Sequence, residues 1–252
     1  MNLIYEYINY LFNSKKRHGI HSPFVYDFTD KCLKLKVKTT TLDSFKEICE
    51  IFLSNTSKFN LEDHGAGSKS TKASSISTIF QKARTKGKYA KLLYKISAHY
   101  LPKNTLELGT NLGVGTYFLS QGNPSGKVTT IEADPTLFSL AEQTISQYSG
   151  NTQHHLATFT NFLLQCDTVF DFIFIDGDHR GVKLLEYLEC LDKNMHDSTI
   201  ILIDDIRWSR DMFDAWNKII KMEQYHLSLD LFKFGIILKK HSKEKEHFII
   251  RY

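Results

Sequence analysis

The sequence lacks long apolar runs and paired cysteines. No run of 18 apolar residues occurs, so no membrane span is predicted. The four cysteines include no Cys-x-x-Cys pair, which argues against a zinc ribbon and favours thiols in a reducing compartment. The apolar N-terminal stretch is not preceded by basic residues, unlike a secretory signal peptide. These features together predict a cytoplasmic protein that does not bind membranes.

The chain also has little excess of charge of either sign. The 32 basic residues exceed the 28 acidic residues by only four, and no stripe of alternating basic and aromatic residues occurs, so nucleic acid is not an expected partner. With 42% hydrophobic and 24% charged residues, the composition is typical of a globular protein. A chain of 252 residues can bury a full core without disulfides or structural metal.

Residues 1–85 are predicted to form a helical extension or lid. Apolar residues recur at helical spacing in the first dozen positions, at Leu3, Ile4, Tyr7, Ile8 and Leu11. This stripe predicts a helix that buries one face, either against the rest of the chain or against a second copy in a homodimer. Further helices are predicted from Ser22-Pro23 to about Leu35 and over 42–52. The Gly- and Ser-rich residues 55–72 are predicted to form a loop, with Asp63 and His64 as part of a lid segment.

Residues 86–252 alternate between short apolar runs and helical patterns. The predicted strands are 105–108, 128–133, 154–157, 169–176 and 199–204, and the predicted helices are 87–100, 115–120, 135–148, 159–166, 182–191 and 208–222. This alternation predicts a doubly wound α/β domain with a mostly parallel sheet. Two further strands, 226–231 and 234–239, are joined too tightly for a helical crossover, which predicts an antiparallel hairpin at the C-terminal edge of the sheet.

A glycine-rich turn follows the first strand of this domain. Gly109, Gly113 and Gly115 lie between that strand and a helix, where the backbone can approach a small nucleotide-like ligand. Their G-x-x-x-G-x-G spacing differs from the G-x-G-x-x-G of dinucleotide-dependent dehydrogenases. Glu107 would place a carboxylate near the ligand, which is unfavourable beside a pyrophosphate and favourable beside an ammonium group. Glu132, which ends the second strand, is suited to the two hydroxyls of a ribose.

Acidic residues end two later strands. Asp176, Asp178 and His179 follow one strand, and Asp204 and Asp205 follow the next, at the edge where such sheets bind ligands. Neighbouring strands lie about 4.8 Å apart, so these carboxylates can converge. They repel each other unless a cation or a proton intervenes, and Mg²⁺, Ca²⁺ or Mn²⁺ would suit oxygen ligands. The alternative is that they cap loops and helices or contact the amino group of a cofactor.

Four segments resemble the class I S-adenosylmethionine-dependent methyltransferases, and specifically their O-methyltransferase branch, which includes catechol O-methyltransferase and metal-dependent sugar O-methyltransferases. The segments are LELGTNLGVGT, IEADP, FDFIFIDGDHR and ILIDDIRW. The resemblance covers residues 86–240 and implies a Rossmann-like fold. It implies methylation of a hydroxyl oxygen on a small-molecule acceptor. The alternatives are an NAD-dependent oxidoreductase on a similar fold and a cofactor-binding protein without catalytic activity.

The resemblance also assigns residues to the site. The cofactor-binding set is Glu107, Gly109, Thr110, Gly113, Gly115, Glu132, Ala133, Ala157, Thr158 and Asp176. Asp176, Asp204 and Asp205 would hold Mg²⁺ or another divalent cation that binds the hydroxyl of the acceptor. His179 or Asp178 would then remove the hydroxyl proton, and the unperturbed pKa of a histidine suits that task near neutral pH.

Overall fold

The structure is a computed structural model that describes residues 2–15, 21–59, 74–83, 87–239 and 244–252. Its contacts group the chain into two compact units, Met1–Lys31 with Thr160–Tyr252, and Cys32–Phe159. The predicted division at residue 85 stays a prediction. Most of the loop predicted over residues 55–72, with its proposed lid residues Asp63 and His64, lies outside the described residues.

Eight strands form a mostly parallel sheet, as predicted. They are β3 (Asn104–Leu108), β4 (Lys127–Glu132), β5 (Thr152–Leu156), β6 (Phe170–Ile175), β7 (Met195–Ile203), β8 (Leu227–Asp230), β9 (Gly235–Leu238) and β10 (Glu246–Ile249). Their order is β10-β8-β9-β7-β6-β3-β4-β5. The pairs β3/β4, β4/β5 and β6/β7 are parallel. Two short strands, β1 (Lys58–Phe59) and β2 (Ser74–Ser75), pair separately.

The C-terminal hairpin is present, but it is not the outermost part of the sheet. Strand β9 runs antiparallel to both β7 and β8, which confirms the predicted reversal of direction. Strand β10 pairs in parallel with β8 and forms the edge. The sequence analysis missed β10 because its four residues, EHFI, give no extended alternation of apolar and polar residues.

The structure has helices in the segments predicted to be helical, and one further helix that was not predicted. Their bounds are α1 (Leu3–Asn13), α2 (Pro23–Asp27), α3 (Thr39–Ser54), α4 (Ile76–Ala83), α5 (Gly87–Tyr100), α6 (Val114–Gly122), α7 (Pro135–Tyr148), α8 (Phe159–Gln165), α9 (Gly181–Cys190) and α10 (Arg210–Ile219). A short π-helix at Phe28–Cys32 continues α2. Helix α4 was not predicted from the sequence. No helix among the described residues is both long and apolar enough to span a bilayer.

Helix α1 forms where predicted, but its most buried residue, Tyr10, lies outside the predicted stripe. Tyr10 is 2% exposed, and its hydroxyl donates to the Ile250 carbonyl oxygen at 2.5 Å. The predicted apolar stripe stays largely in water, since Leu3, Ile4 and Ile8 are 46% to 74% exposed. The periodicity correctly identified a helix. It could not identify the buried face, because nearly every position of this helix is apolar or aromatic.

Helix α3 packs within the other unit, against α6. The Tyr117 hydroxyl donates to the Thr41 carbonyl oxygen at 2.7 Å, and the rings of Phe45 and Phe118 lie 4.9 Å apart. Aromatic pairs at this spacing stabilise helix packing beyond the area they bury. The contact holds the N-terminal end of α3 against the helix that follows the glycine turn.

Candidate functional site

The turn between β3 and α6 has the backbone conformation that its glycines permit. Gly109 has φ 109°, and Gly113, which precedes α6, has φ 79°. Asn111, between them, has φ 51°, a left-handed conformation that asparagine tolerates better than most residues. The turn therefore leads directly into the N-terminus of a nine-residue helix, whose first N–H groups have no partners within the helix.

Glu107 is fully buried beneath this turn. One of its oxygens, Oε2, accepts hydrogen bonds from the hydroxyls of Thr116 and Thr130, the latter at 2.7 Å. The other oxygen, Oε1, is buried and has no hydrogen-bond partner among the described residues. Burial raises the pKa of Glu107 to about 7, although the two threonine hydroxyls oppose this shift. An unsatisfied buried carboxylate oxygen is costly, so the geometry favours a positively charged partner.

Glu132, at the end of β4, accepts three backbone hydrogen bonds. Its Oε2 accepts from the N–H of Asn111 at 2.8 Å, and its Oε1 accepts from Ala133 at 2.9 Å and Asp134 at 3.0 Å. Burial raises the pKa of Glu132, and the three N–H groups partly offset that effect. Each carboxylate oxygen can accept more than one hydrogen bond, so the side chain can both hold the turn and bind a hydroxyl.

The other predicted cofactor-binding residues of this unit surround the two glutamates. The Thr110 and Thr130 hydroxyls lie 2.6 Å apart, and the Ala157 N–H donates to the Glu132 carbonyl oxygen at 2.9 Å. Thr158 follows Ala157, and Gly115 lies in the first turn of α6. The structure thus gathers the predicted residues of this unit around one turn. Their contacts with a cofactor stay predictions.

Asp204 is the most buried acid of the carboxylate cluster, which consists of Asp176, Asp204, Asp205, His179 and Lys233. Its side chain is 2% exposed. Both of its oxygens lie 2.8 Å from the Lys233 ammonium nitrogen. Burial raises the pKa of Asp204 to about 8, the charge of Asp176 adds to this, and Lys233 opposes it. Asp176, which was also predicted to bind the cofactor, lies in this cluster.

Asp205 lies at the more open side of the cluster. Its Oδ1 is 3.6 Å from Lys233 Nζ, and its Oδ2 is 4.0 Å from His179 Nε2. Burial raises the pKa of Asp205, as does the charge of Asp204. Burial disfavours the charged form of Lys233, but the carboxylates outweigh burial and raise its pKa to about 12. Lys233 therefore stays positively charged at neutral pH.

The predicted metal site does not fit the residues present. The expectation was that a divalent cation relieves the repulsion between Asp176, Asp204 and Asp205, whereas here the ammonium of Lys233 contacts two of the three acids. An ammonium group is not a metal ligand. Across the described residues, no group of three or more His, Cys, Asp or Glu side chains is arranged to hold a metal ion.

The two predicted bases differ in their surroundings. The carboxylate of Asp178 is held by the guanidinium of Arg180, with one contact at 2.7 Å, and accepts a hydrogen bond from the Tyr187 hydroxyl at 2.6 Å. Both of its oxygens are thereby engaged, which disfavours it as a proton acceptor. His179 lies beside Asp205 and beside the ring of Trp208, at 5.7 Å between ring centroids. The geometry favours His179.

The sequence analysis missed Lys233. Its position in the tight connection between β8 and β9 could have identified it as a candidate site residue. Strand β8 runs in the same direction as β7, because β9 is antiparallel to both, so this connection follows the carboxyl end of β8. A lysine there is placed at the same edge as Asp204 and Asp205.

Comparisons with known proteins agree with this architecture. Residues 106–206 match a family model described as a methyltransferase domain. No match is found among curated protein sequences. The match covers the strands and turns that carry both the glycine turn and the acidic residues after β6 and β7.

Several solved structures share the fold. The O-methyltransferase TomG from Streptomyces achromogenes, in complex with S-adenosylmethionine, is 14% identical, with a TM-score of 0.58 over 86% of this chain and 96% of that one. An O-methyltransferase from Bacillus cereus, in complex with S-adenosylhomocysteine, is 19% identical, with a TM-score of 0.54 over 86% of this chain and 98% of that one. A Podospora anserina methyltransferase, also bound to S-adenosylhomocysteine, is 15% identical, with a TM-score of 0.56 over 82% and 98%. Residues 106–206 thus match a methyltransferase-domain model, and the predicted doubly wound fold with a mostly parallel sheet is confirmed.

Proposed function

We propose that this chain, which carries a methyltransferase domain, transfers the methyl group of S-adenosylmethionine to a hydroxyl oxygen of a small molecule. The observation that carries the proposal is Glu107, a fully buried carboxylate beneath the glycine turn with one oxygen that has no partner among the described residues. The amino group of S-adenosylmethionine is a cation suited to that oxygen. A pyrophosphate-containing cofactor such as NAD would be repelled by the same group.

The second glutamate supports the same cofactor, and the turn above it has a backbone that requires glycine. Glu132 has acceptor capacity left after its three backbone hydrogen bonds, as the two ribose hydroxyls require. Gly113 has a positive φ, and a Cβ added there would lie 3.5 Å from the Thr144 Cβ. The backbone conformation, rather than the available space, therefore favours glycine at this position.

The chain's own residues account for the proton transfer. When bound, S-adenosylmethionine supplies an electrophilic methyl group on its sulfonium. His179 is suited to accept the hydroxyl proton of the acceptor at Nε2 or Nδ1. Asp205, 4.0 Å from Nε2, stabilises the imidazolium that results. Once the oxygen is deprotonated, the remaining task is mainly to align it with the methyl carbon.

Calorimetric titration with S-adenosylhomocysteine and, in parallel, with NAD tests the cofactor. We expect S-adenosylhomocysteine to bind and NAD not to bind. Glu132→Gln should weaken binding by about 1.5–3 kcal/mol, the scale of losing hydrogen bonds to a charged group. Glu142→Gln, at an exposed position of α7, is the matched control and should leave the affinity unchanged. Equal affinity in both variants would remove Glu132 from the site, and tight NAD binding would favour the oxidoreductase alternative.

A panel of hydroxylated small molecules tests the reaction. With an acceptor in hand, His179→Ala should lower kcat by about 10²-fold or more, the usual scale for losing a general base, while the affinity for S-adenosylhomocysteine is retained. The control is His196→Ala, because His196 pairs with Asp171 away from the carboxylate cluster. An unchanged kcat in His179→Ala would exclude His179 as the base.

We further propose that the protein forms a homodimer through the outward face of α1. That face carries Ile4, Ile8 and Phe12, and Phe12 is 86% exposed. Glu6 is the only charged residue of the helix, so its exposed side is largely apolar, and a twofold interface would place that side against its own copy. Exposed apolar patches of this kind usually mark an interaction site.

A further inference from the structure

Lys233 contacts the acids that the sequence analysis assigned to a metal ion. Its ammonium nitrogen lies 2.8 Å from both oxygens of Asp204 and 3.6 Å from Oδ1 of Asp205. The third acid, Asp176, is close enough that its charge raises the pKa of Asp204. One cation therefore contacts two of the three carboxylates directly.

The turn that carries Lys233 is held by a buried ion pair. Arg207 donates to both oxygens of Asp230, at 2.8 and 2.6 Å, and also to the Phe232 carbonyl oxygen at 2.8 Å. The N–H of Phe232, a residue with φ 72°, donates to the Asp230 carboxylate at 2.8 Å. Such a left-handed conformation at a bulky residue persists only where the surroundings determine it.

Two more contacts hold the same turn from outside. The Ile206 N–H donates to the Lys233 carbonyl oxygen at 3.0 Å, which ties the turn to the loop that follows Asp205. The ring of Tyr7, on α1, packs edge-on against Phe232 at 4.9 Å. The Lys233 side chain is thus directed to the acids by a turn whose position is fixed on several sides. It is not a flexible surface lysine that happens to reach them.

We infer that Lys233 is the built-in cation of the carboxylate cluster, in the role that a divalent metal ion has in metal-dependent O-methyltransferases. It acts as a positioning residue, because it neutralises and orients Asp204 and Asp205, and Asp205 in turn lies beside His179. A divalent ion at the same acids would be placed against a fixed positive charge and repelled by it. The cation assignment stands on these contacts alone, and its consequence for turnover rests on the proposed function.

Titration with Mn²⁺ tests directly whether Lys233 is the cation of the carboxylate cluster, and it needs no methyl-transfer assay. Mn²⁺ is titrated into the wild-type protein and into Lys233→Met and Lys233→Gln, and bound ion is detected by electron paramagnetic resonance. We expect no specific site in the wild type. Both neutral variants should gain Mn²⁺ affinity, by about tenfold or more, because the competing charge has been removed from oxygen ligands.

Two controls separate this effect from a general change of charge. Lys233→Arg keeps the positive charge and should not gain a site. Lys239→Met removes a lysine that pairs with Asp192 elsewhere on the chain, so it should behave as the wild type. Circular dichroism identifies any variant that fails to fold, and the use of two neutral substitutions at position 233 keeps the experiment informative if one of them does.

Specific Mn²⁺ binding to the wild type that is lost in Asp205→Asn would overturn the inference. So would the absence of any gain in folded Lys233→Met or Lys233→Gln. In turnover assays, we expect the wild type to keep its activity in EDTA. If S-adenosylhomocysteine does not bind while Lys233→Met gains a Mn²⁺ site, the proposed function is wrong and the cation assignment stands.

Discussion

At the residue scale, two buried carboxylates, Asp204 and Glu107, differ in the protein groups that stabilise their charge. Asp204 has the ammonium of Lys233 against both oxygens. Among the described residues, Glu107 has as partners the hydroxyls of Thr116 and Thr130, both on one oxygen. A hydroxyl stabilises a carboxylate less than a cation does, so Glu107 depends on weaker partners than Asp204. Burial and the charge of Asp176 nevertheless raise the pKa of Asp204 further, to about 8.

Glu107 should make the free protein less stable as the pH rises. Its pKa is raised from 4.5 to about 7 by burial, so the unfolded chain releases this proton at a lower pH than the folded chain. The favourable contribution of the protonated group is therefore complete below pH 4.5 and is lost as the pH rises through about 7. Denaturant unfolding between these limits should show a decline in the wild type that is smaller in Glu107→Gln.

The matched control for this experiment is Glu186→Gln, because Glu186 is an exposed residue that pairs with Lys183. It should retain the wild-type pH dependence. Identical curves for the wild type and Glu107→Gln would mean that Glu107 titrates normally in the folded protein. The main argument for a cationic ligand at this position would then be lost.

At the scale of elements, α1 depends on one aromatic side chain. The Tyr10 hydroxyl donates to the Ile250 carbonyl oxygen and accepts from the N–H of Tyr252 at 3.0 Å. Its ring lies 5.2 Å from that of Phe232. This helix therefore joins the last strand to the turn that carries Lys233, through a residue outside the predicted apolar stripe.

Substitutions on the two faces of α1 should differ sharply in their effect on the free energy of unfolding. Tyr10→Ala should lower the free energy of unfolding by about 3–5 kcal/mol, as other large-to-small aromatic substitutions in cores do. Phe12→Ala, at a position 86% exposed, should change it by less than about 0.5 kcal/mol in the monomer. Chemical denaturation of both variants measures the difference. Equal costs would mean that the helix does not pack through Tyr10.

At the scale of the whole molecule, the exposed face of α1 predicts self-association. Sedimentation at micromolar concentration should give a dimer for the wild type and a monomer for the double variant Ile4→Glu with Ile8→Glu, because paired copies would bury like charges against each other. Leu164→Glu is the control, since Leu164 is also exposed, at 65%, but lies on α8. A wild-type monomer, or a dimer that persists in the double variant, would contradict the proposal.

Local patterns in the sequence were enough to predict the sheet and the glycine-rich turn. The apolar runs of β6 and β7, the glycine spacing and the N-cap of α7 by Asp134 depend on residues close together in the chain. Glu107 and Glu132 could be predicted in the same way. Glu107 lies just before the glycine turn, and Glu132 ends the neighbouring strand. Physical constraints that act over a few residues can be recognised without a tertiary structure.

The tertiary structure decided which cation meets the carboxylates and which face of α1 is buried. The sequence predicted that Asp204 and Asp205 converge and hold a divalent cation, but Lys233 lies 28 residues beyond Asp205 and reaches them only because β9 reverses direction between β7 and β8. Tyr10 likewise finds its partner at Ile250, almost the full length of the chain away. Such contacts depend on how strands and helices are arranged in space, and the local pattern of a segment does not contain that information.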